Sequence, residues 1–195
     1  MFINRKLREL NLKIVYYGPA LSGKTTNLEY VHAHTNPRQR GDLVSLKTRE
    51  DRTIFFDYLQ LELGQIKGLT PKFNLYTVPG QVYYAASRKL VLQGADGIVF
   101  VADSQYSRMQ ANLESYQNMF QHLRELGMSP QAMPLVVQFN KRDMENIVPV
   151  GTLRTLLGLN GSIPYYASVA TQGMGVFDTL KAIIAQVISH ARQGL

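Results

Sequence analysis

The chain has 195 residues, 45% of them hydrophobic, no cysteine and a formal net charge of +7. That length suffices for one well-buried α/β domain, and the absence of cysteine excludes disulfides, a thiolate metal site and a C-terminal prenylation box. No apolar run reaches the roughly 18 residues of a membrane span, and the N-terminus lacks the apolar core of a signal peptide, so a cytoplasmic protein with no membrane span is expected.

The positive excess is spread along the chain, without a nucleic-acid motif beside it. No nucleic-acid partner is expected, and the bias suits an anionic ligand such as a triphosphate or, less specifically, acidic head groups.

The first predicted strand, Lys13–Tyr17, runs into Gly18-Pro19-Ala20-Leu21-Ser22-Gly23-Lys24-Thr25. This stretch fits the phosphate-loop pattern G-x-x-x-x-G-K-[ST], and the segment from Thr26 reads as the opening of a helix. Strand, glycine-bearing loop and helix are the context the pattern needs. Backbone N–H groups of the loop and helix N-terminus surround a β-phosphate there. Lys24 reaches the β- and γ-phosphates, and the Thr25 hydroxyl ligates Mg²⁺. A turn that matches by chance is the bland alternative, and the flanking elements argue against it.

Asn36–Asp42 is polar and turn-rich, a surface loop. Arg52-Thr53 then precedes the predicted strand Ile54–Leu59. A Thr53 hydroxyl facing the phosphates completes Mg²⁺ coordination, so that loss of the γ-phosphate releases the loop. Arg52 either stabilises charge on the transferring phosphoryl group from within the chain or faces solvent. The predicted strands Leu61–Ile66 and Phe73–Val78 follow, with a turn at Leu63-Gly64-Gln65 or at Lys67-Gly68, and read as a hairpin returning into the sheet. At its end stands Thr77-Val78-Pro79-Gly80-Gln81. Gly80 can present its N–H to a γ-phosphate with no Cβ in the way, and the Gln81 amide can orient an attacking water. A plain Pro-Gly turn with a solvated Gln81 is the alternative.

Gly97–Ala102 and Leu135–Asn140 are nearly continuous apolar runs, as central parallel strands covered on both faces require. Between them Met109, Leu113, Tyr116, Phe120 and Leu123 mark one face of a helix, and Phe177, Leu180, Ile184 and Val187 mark another near the end. Asn140-Lys141-Arg142-Asp143 follows the second run. A carboxylate at Asp143 can accept from both N1–H and the 2-amino group of guanine, whereas adenine leaves it unpaired. Asn140 ties the base site to the phosphate loop, and the Lys141 stem covers the ring. The predicted strand Pro164–Ser168 ends in Ser168-Val169-Ala170, whose N–H groups are placed for the guanine O6 or simply end a strand.

These elements predict one domain over 1–195. It is a doubly wound, mostly parallel sheet with one antiparallel edge hairpin and helices on both faces, with its ligand beyond the carboxyl ends of the strands.

The order of motifs resembles the small Ras-like GTPases, P-loop NTPases built on a G domain. The runs Lys13–Pro19, Leu21–Leu28, Arg52-Thr53, Phe55–Asp57, Leu75–Val82, Ala86–Leu90, Asp96–Ser104, Asn140–Asp143 and Gly175–Lys181 resemble the MglA branch, bacterial GTPases of cell polarity and gliding and twitching motility. The resemblance implies a switch that hydrolyses GTP slowly by itself and faster with an MglB-type activator, a roadblock-fold dimer. It implies Gln81 and Arg52 as the catalytic pair, with the arginine supplied in cis. It implies GTP held by Gly18, Ala20, Leu21, Ser22, Gly23, Lys24, Thr25, Thr26, Thr53, Gly80, Asn140, Lys141, Asp143, Ser168, Val169 and Ala170, and Mg²⁺ held by Thr25 and Thr53. It also implies a strand after Thr53 that shifts register between nucleotide states, and a cytoplasmic protein recruited to cell poles.

Three positions depart from familiar Ras-like patterns. Thr77 replaces an Asp that supports the metal, a role for which Asp103 is the candidate. Ala20 replaces a Gly beside the γ-phosphate and is expected to slow hydrolysis or weaken dependence on the activator. Ala170 replaces a Lys over the base. Two other classes remain open at this point: an ATP-dependent P-loop enzyme with Asp103 as its acidic residue, which Asn140–Asp143 opposes, and a nucleotide-binding scaffold with little hydrolysis, which Ala20 alone favours.

Overall fold

The structure, a computed structural model, describes residues 1–47, 53–81, 84–159 and 161–193. In chain order the strands are β1 (Phe2–Asn4), β2 (Glu9–Tyr17), β3 (Val44–Lys47), β4 (Thr53–Glu62), β5 (Thr70–Thr77), β6 (Gly97–Asp103), β7 (Leu135–Asn140) and β8 (Tyr165–Ala167). The helices are α1 (Lys24–His34), α2 (Ala85–Leu92), α3 (Met109–Glu125), α4 (Val150–Leu156) and α5 (Val176–Gln193).

The sheet order is β3-β4-β5-β2-β6-β7-β8. The ladders from β5 through β8 are parallel, and β3, β4 and β5 pair antiparallel. This is the mostly parallel sheet with one antiparallel edge hairpin that the sequence predicts. The two short strands expected between Ile54 and Ile66 form one long strand, β4. Gln60, which breaks the apolar run, stays in the ladder because its amide bonds Asn74 of β5 at 3.0 Å. The hairpin turns at Lys67-Gly68, both with positive φ, between Ile66 and Leu69, which exchange two backbone bonds of 2.9 Å. β1 is an addition. It pairs antiparallel with the start of β2, on the edge that β6 takes further along.

Alternation along β2 sorts the core into two layers. Leu10, Leu12, Ile14 and Tyr16 join Leu28 and Val31 of α1 and Leu180, Ile183 and Val187 of α5. Val15 and Tyr17 face the other way, with Leu92 of α2, Met119 and Leu123 of α3 and Leu153 of α4. Strands β6 and β7 are buried along their whole length, which explains their nearly continuous apolar sequence. Within β7, Gln138 is polar and buried but satisfied: it exchanges two bonds with Asn27 of α1, at 2.8 and 3.0 Å, and donates to Thr179 of α5 at 3.1 Å. That triad fixes α1, and so the loop before it, against the centre of the sheet.

Candidate functional site

The loop after β2 turns into α1 at Gly23, where the backbone is left-handed, with φ 98°. A Cβ at Gly23 would lie 2.2 Å from Asn140 Nδ2, so only glycine fits this crossing. α1 has no side-chain cap at its N-terminus and no acidic residue in its first turn. Its first N–H groups and the positive end of its dipole therefore face the loop, the physical requirement for an anion. Lys24 is buried there, with Nζ donating to the carbonyls of Gly18 at 3.1 Å and Pro19 at 2.7 Å. Burial lowers its ammonium to about 7; Asp57 opposes that shift, while Arg88 and Arg108 add to it. An anion bound beside it would favour the charged ammonium and oppose that shift. Leu21 and Ser22 complete the loop, Leu21 exposed with φ 63° and Ser22 buried. Thr26 lies in the first turn of α1.

Thr25, the next residue of α1, donates its hydroxyl to Asp57 Oδ2 at 2.5 Å. Asp57 is fully buried on β4 and gathers two further hydroxyls: Thr77 donates to Oδ2 at 2.7 Å, and Ser45 of β3 donates to Oδ1. The Asp57 N–H returns a bond to Thr77 Oγ1 at 2.9 Å. The buried carboxylate that meets Thr77 and Thr25 is Asp57. Asp103 lies on β6, where it pairs with Lys141 at 2.7 Å. The carboxylate, with Thr25, Ser45 and Thr77, forms a hard-oxygen set, which suits Mg²⁺ completed by phosphate and water. This bonding also pins β4, since a one-residue slip would turn Asp57 to the other face. The pairing of β3 and β4 breaks register between Ser45 and Lys47, just beyond it. Thr53 opens β4 opposite Lys47, and Arg52 lies outside the described residues.

Gly80 sits directly on the phosphate loop. A Cβ there would fall 2.4 Å from both Cα and N of Ala20. Gln81 follows, half-buried, its carbonyl gripped by Arg88 Nη1 at 2.5 Å. Ala20, Gly80 and Gln81 line one cavity together with Arg88 and Arg108.

The Asn140–Asp143 segment meets the loop from the β7 side. Asn140 Nδ2 donates to Ser22 O at 2.8 Å, the tie predicted from sequence. Asp143 stands exposed in the turn that follows, and that turn is anchored by Arg142, whose N–H donates to Ser168 O at 3.1 Å. The N–H groups of Ser168, Val169 and Ala170 each meet an acceptor within the chain. They donate to Phe139 O, Met174 O and Asn140 Oδ1 at 2.9, 3.0 and 2.9 Å. The Ala170 N–H thus helps hold Asn140, whose Oδ1 also takes the Ser168 hydroxyl at 3.0 Å. Asp57, Arg88 and Arg108 escaped the sequence reading as site residues, and only the Thr77 substitution hinted that another carboxylate was needed.

The ADP-ribosylation factor family model matches residues 1–187. The chain is 53% identical over 193 residues to mutual gliding-motility protein MglA of Myxococcus xanthus (strain DK1622), covering 99% of this chain and 98% of that protein. It is 23% identical over 188 residues to Ras-related protein Rab7 of Prunus armeniaca, covering 94% and 84%. Among solved structures, the Arl6 BBS3 small GTPase of Trypanosoma brucei, with bound nucleotide analogue GppNp, shares the fold with a TM-score of 0.70 at 19% identity, covering 93% of this chain and 99% of that one. The chain belongs to the ADP-ribosylation factor family of small GTPases and, within it, resembles MglA across nearly its whole length.

Proposed function

We propose that this GTP-binding switch hydrolyses GTP to GDP and phosphate. The observation that carries the reading is the Asn140–Ser22 bond, which joins the guanine motif and the phosphate loop, 118 residues apart, in one site. Lys24 and the N–H groups of α1 bind the phosphates. Asp143 reads the base. Gln81 orients the attacking water, and Gly80 sets its distance from the loop. Thr25 and Asp57 would hold Mg²⁺, with Thr53 completing the set, and the ion supplies charge neutralisation along the phosphates. Arg52 supplies the cis cation of the transition state in this reading. Because Ala20 lines the same cavity as Gln81, its extra methyl slows the reaction.

Two finer points rest on kinship with MglA. An MglB-type roadblock dimer accelerates hydrolysis, and the protein is a cytoplasmic one that reaches its site in the cell through partners. No helix among the described residues is long and apolar enough to cross a membrane.

Phosphate release tests the chemistry. The wild-type protein is expected to release phosphate from GTP, not ATP, when Mg²⁺ is present. Asp57→Asn is expected to reduce the Mg²⁺-dependent part of GTP affinity about tenfold, the effect of losing roughly 1.4 kcal/mol of charge-assisted bonding. A Mg²⁺ titration of nucleotide dissociation with the wild-type profile for Asp57→Asn would remove Asp57 from the metal site.

A further inference from the structure

Asp103, the last residue of β6, is fully buried and stands between two cations. Its Oδ2 accepts from Lys141 Nζ at 2.7 Å and lies 3.9 Å from Arg108 Nε. Its Oδ1 accepts from the Gln105 N–H at 3.1 Å, which starts the short helical turn Tyr106–Arg108. The carboxylate therefore both builds the turn that carries Arg108 and pairs with its side chain. Asn112 of α3 clamps the same residue, accepting from the Asp103 N–H at 3.0 Å and donating to its carbonyl at 2.7 Å.

Arg108 reaches from this anchor to the phosphate loop, where Nη2 donates to Ala20 O at 2.7 Å. Ala20 is the residue on which Gly80 rests. Gln81 comes next in the chain, with its own carbonyl held by Arg88. A continuous path thus runs from Lys141 in the base motif through Asp103 and Arg108 to Ala20, and across the Gly80 contact to Gln81.

We infer that Arg108 is a positioning residue for GTP hydrolysis: held by Asp103, it fixes the Ala20 peptide and through it the placement of Gly80 and Gln81. The inference rests on the GTPase reading above. Its physical basis is the steep dependence of a water-attack step on geometry, where a misplacement of about 1 Å costs on the order of 100-fold. A charge-assisted bond from a guanidinium that is itself anchored by a buried carboxylate restrains the peptide better than a neutral contact does. Asp103 ties the same restraint to Lys141, so the base site and the water site share one charged hub.

Single-turnover GTP hydrolysis without any activator, paired with binding of a fluorescent GDP analogue, tests this. Arg108→Ala is expected to slow hydrolysis about tenfold while nucleotide affinity stays within about threefold and Tm is unchanged. Arg108→Lys keeps one donor for Ala20 and is expected to restore part of the rate. Asp103→Asn loosens both cations and is expected to slow hydrolysis and weaken binding together. The Arg108→Ala/Asp103→Asn double variant is expected to be no slower than the worse single variant, because both act through one restraint. A wild-type rate for Arg108→Ala, or a rate loss matched by an equal affinity loss, overturns the inference while leaving the GTPase reading intact. If the wild-type protein binds no guanine nucleotide, both fail together.

Discussion

Replacing Asp143 by asparagine is expected to weaken GTP binding about a thousandfold. Two N–H donors of guanine, N1–H and the 2-amino group, converge on this carboxylate in the proposed site. Hydrogen bonds to a charged acceptor contribute about 1.5–3 kcal/mol each. Losing the charge and turning an amide N–H₂ toward one donor removes about 4 kcal/mol, the equivalent of three decades of affinity. Xanthine carries an oxygen where guanine has its amino group, so the asparagine variant is expected to favour xanthosine over guanosine triphosphate. Asp143 is exposed, so folding stability is expected to change by no more than about 0.5 kcal/mol, which separates lost recognition from lost structure. Displacement of a fluorescent GDP analogue checks the prediction, and unaltered GTP affinity in the variant would remove Asp143 from the base site.

Gln81→Leu is expected to reduce hydrolysis at least about 100-fold while GTP binding stays near wild type. Leucine keeps the size of the side chain but has neither donor nor acceptor for water. Loss of one positioned polar group at a reacting centre costs on the order of 10²–10³ in rate. The backbone at this position is held independently, through the Gln81 carbonyl and Arg88, so the substitution removes chemistry without moving the segment. Single-turnover phosphate release reads the effect, and a rate within a factor of two of wild type would contradict the assignment.

What could be read from the sequence was what adjacent residues carry together. The phosphate loop, its strand and its helix form one continuous segment, so pattern and context suffice. The central strands announced themselves by nearly continuous apolar runs, because both faces of β6 and β7 are covered. The Asn140–Ser22 tie was predictable because each partner sits in a recognisable motif.

Asp57 was hidden for the opposite reason. It approaches Thr25 from an antiparallel strand 32 residues away, and nothing in Phe55-Phe56-Asp57 marks which face its carboxylate takes. For Asp103 the place at a strand end was visible, while its partner Lys141, 38 residues on, was not. The bonds from the N–H groups of Val169 and Ala170 to Met174 and Asn140 were not legible, because they exist only in the folded chain. β1 has three residues, too few for a periodic signal, and depends on pairing with β2.

The central claim is a guanine-specific nucleotide switch, and competition between nucleotides tests it most directly. With Mg²⁺ present, GTP and GDP are expected to displace a bound fluorescent GDP analogue, and ATP is expected to need at least about 100-fold higher concentration. Equal displacement by ATP, or no binding of the analogue at all, would contradict the account.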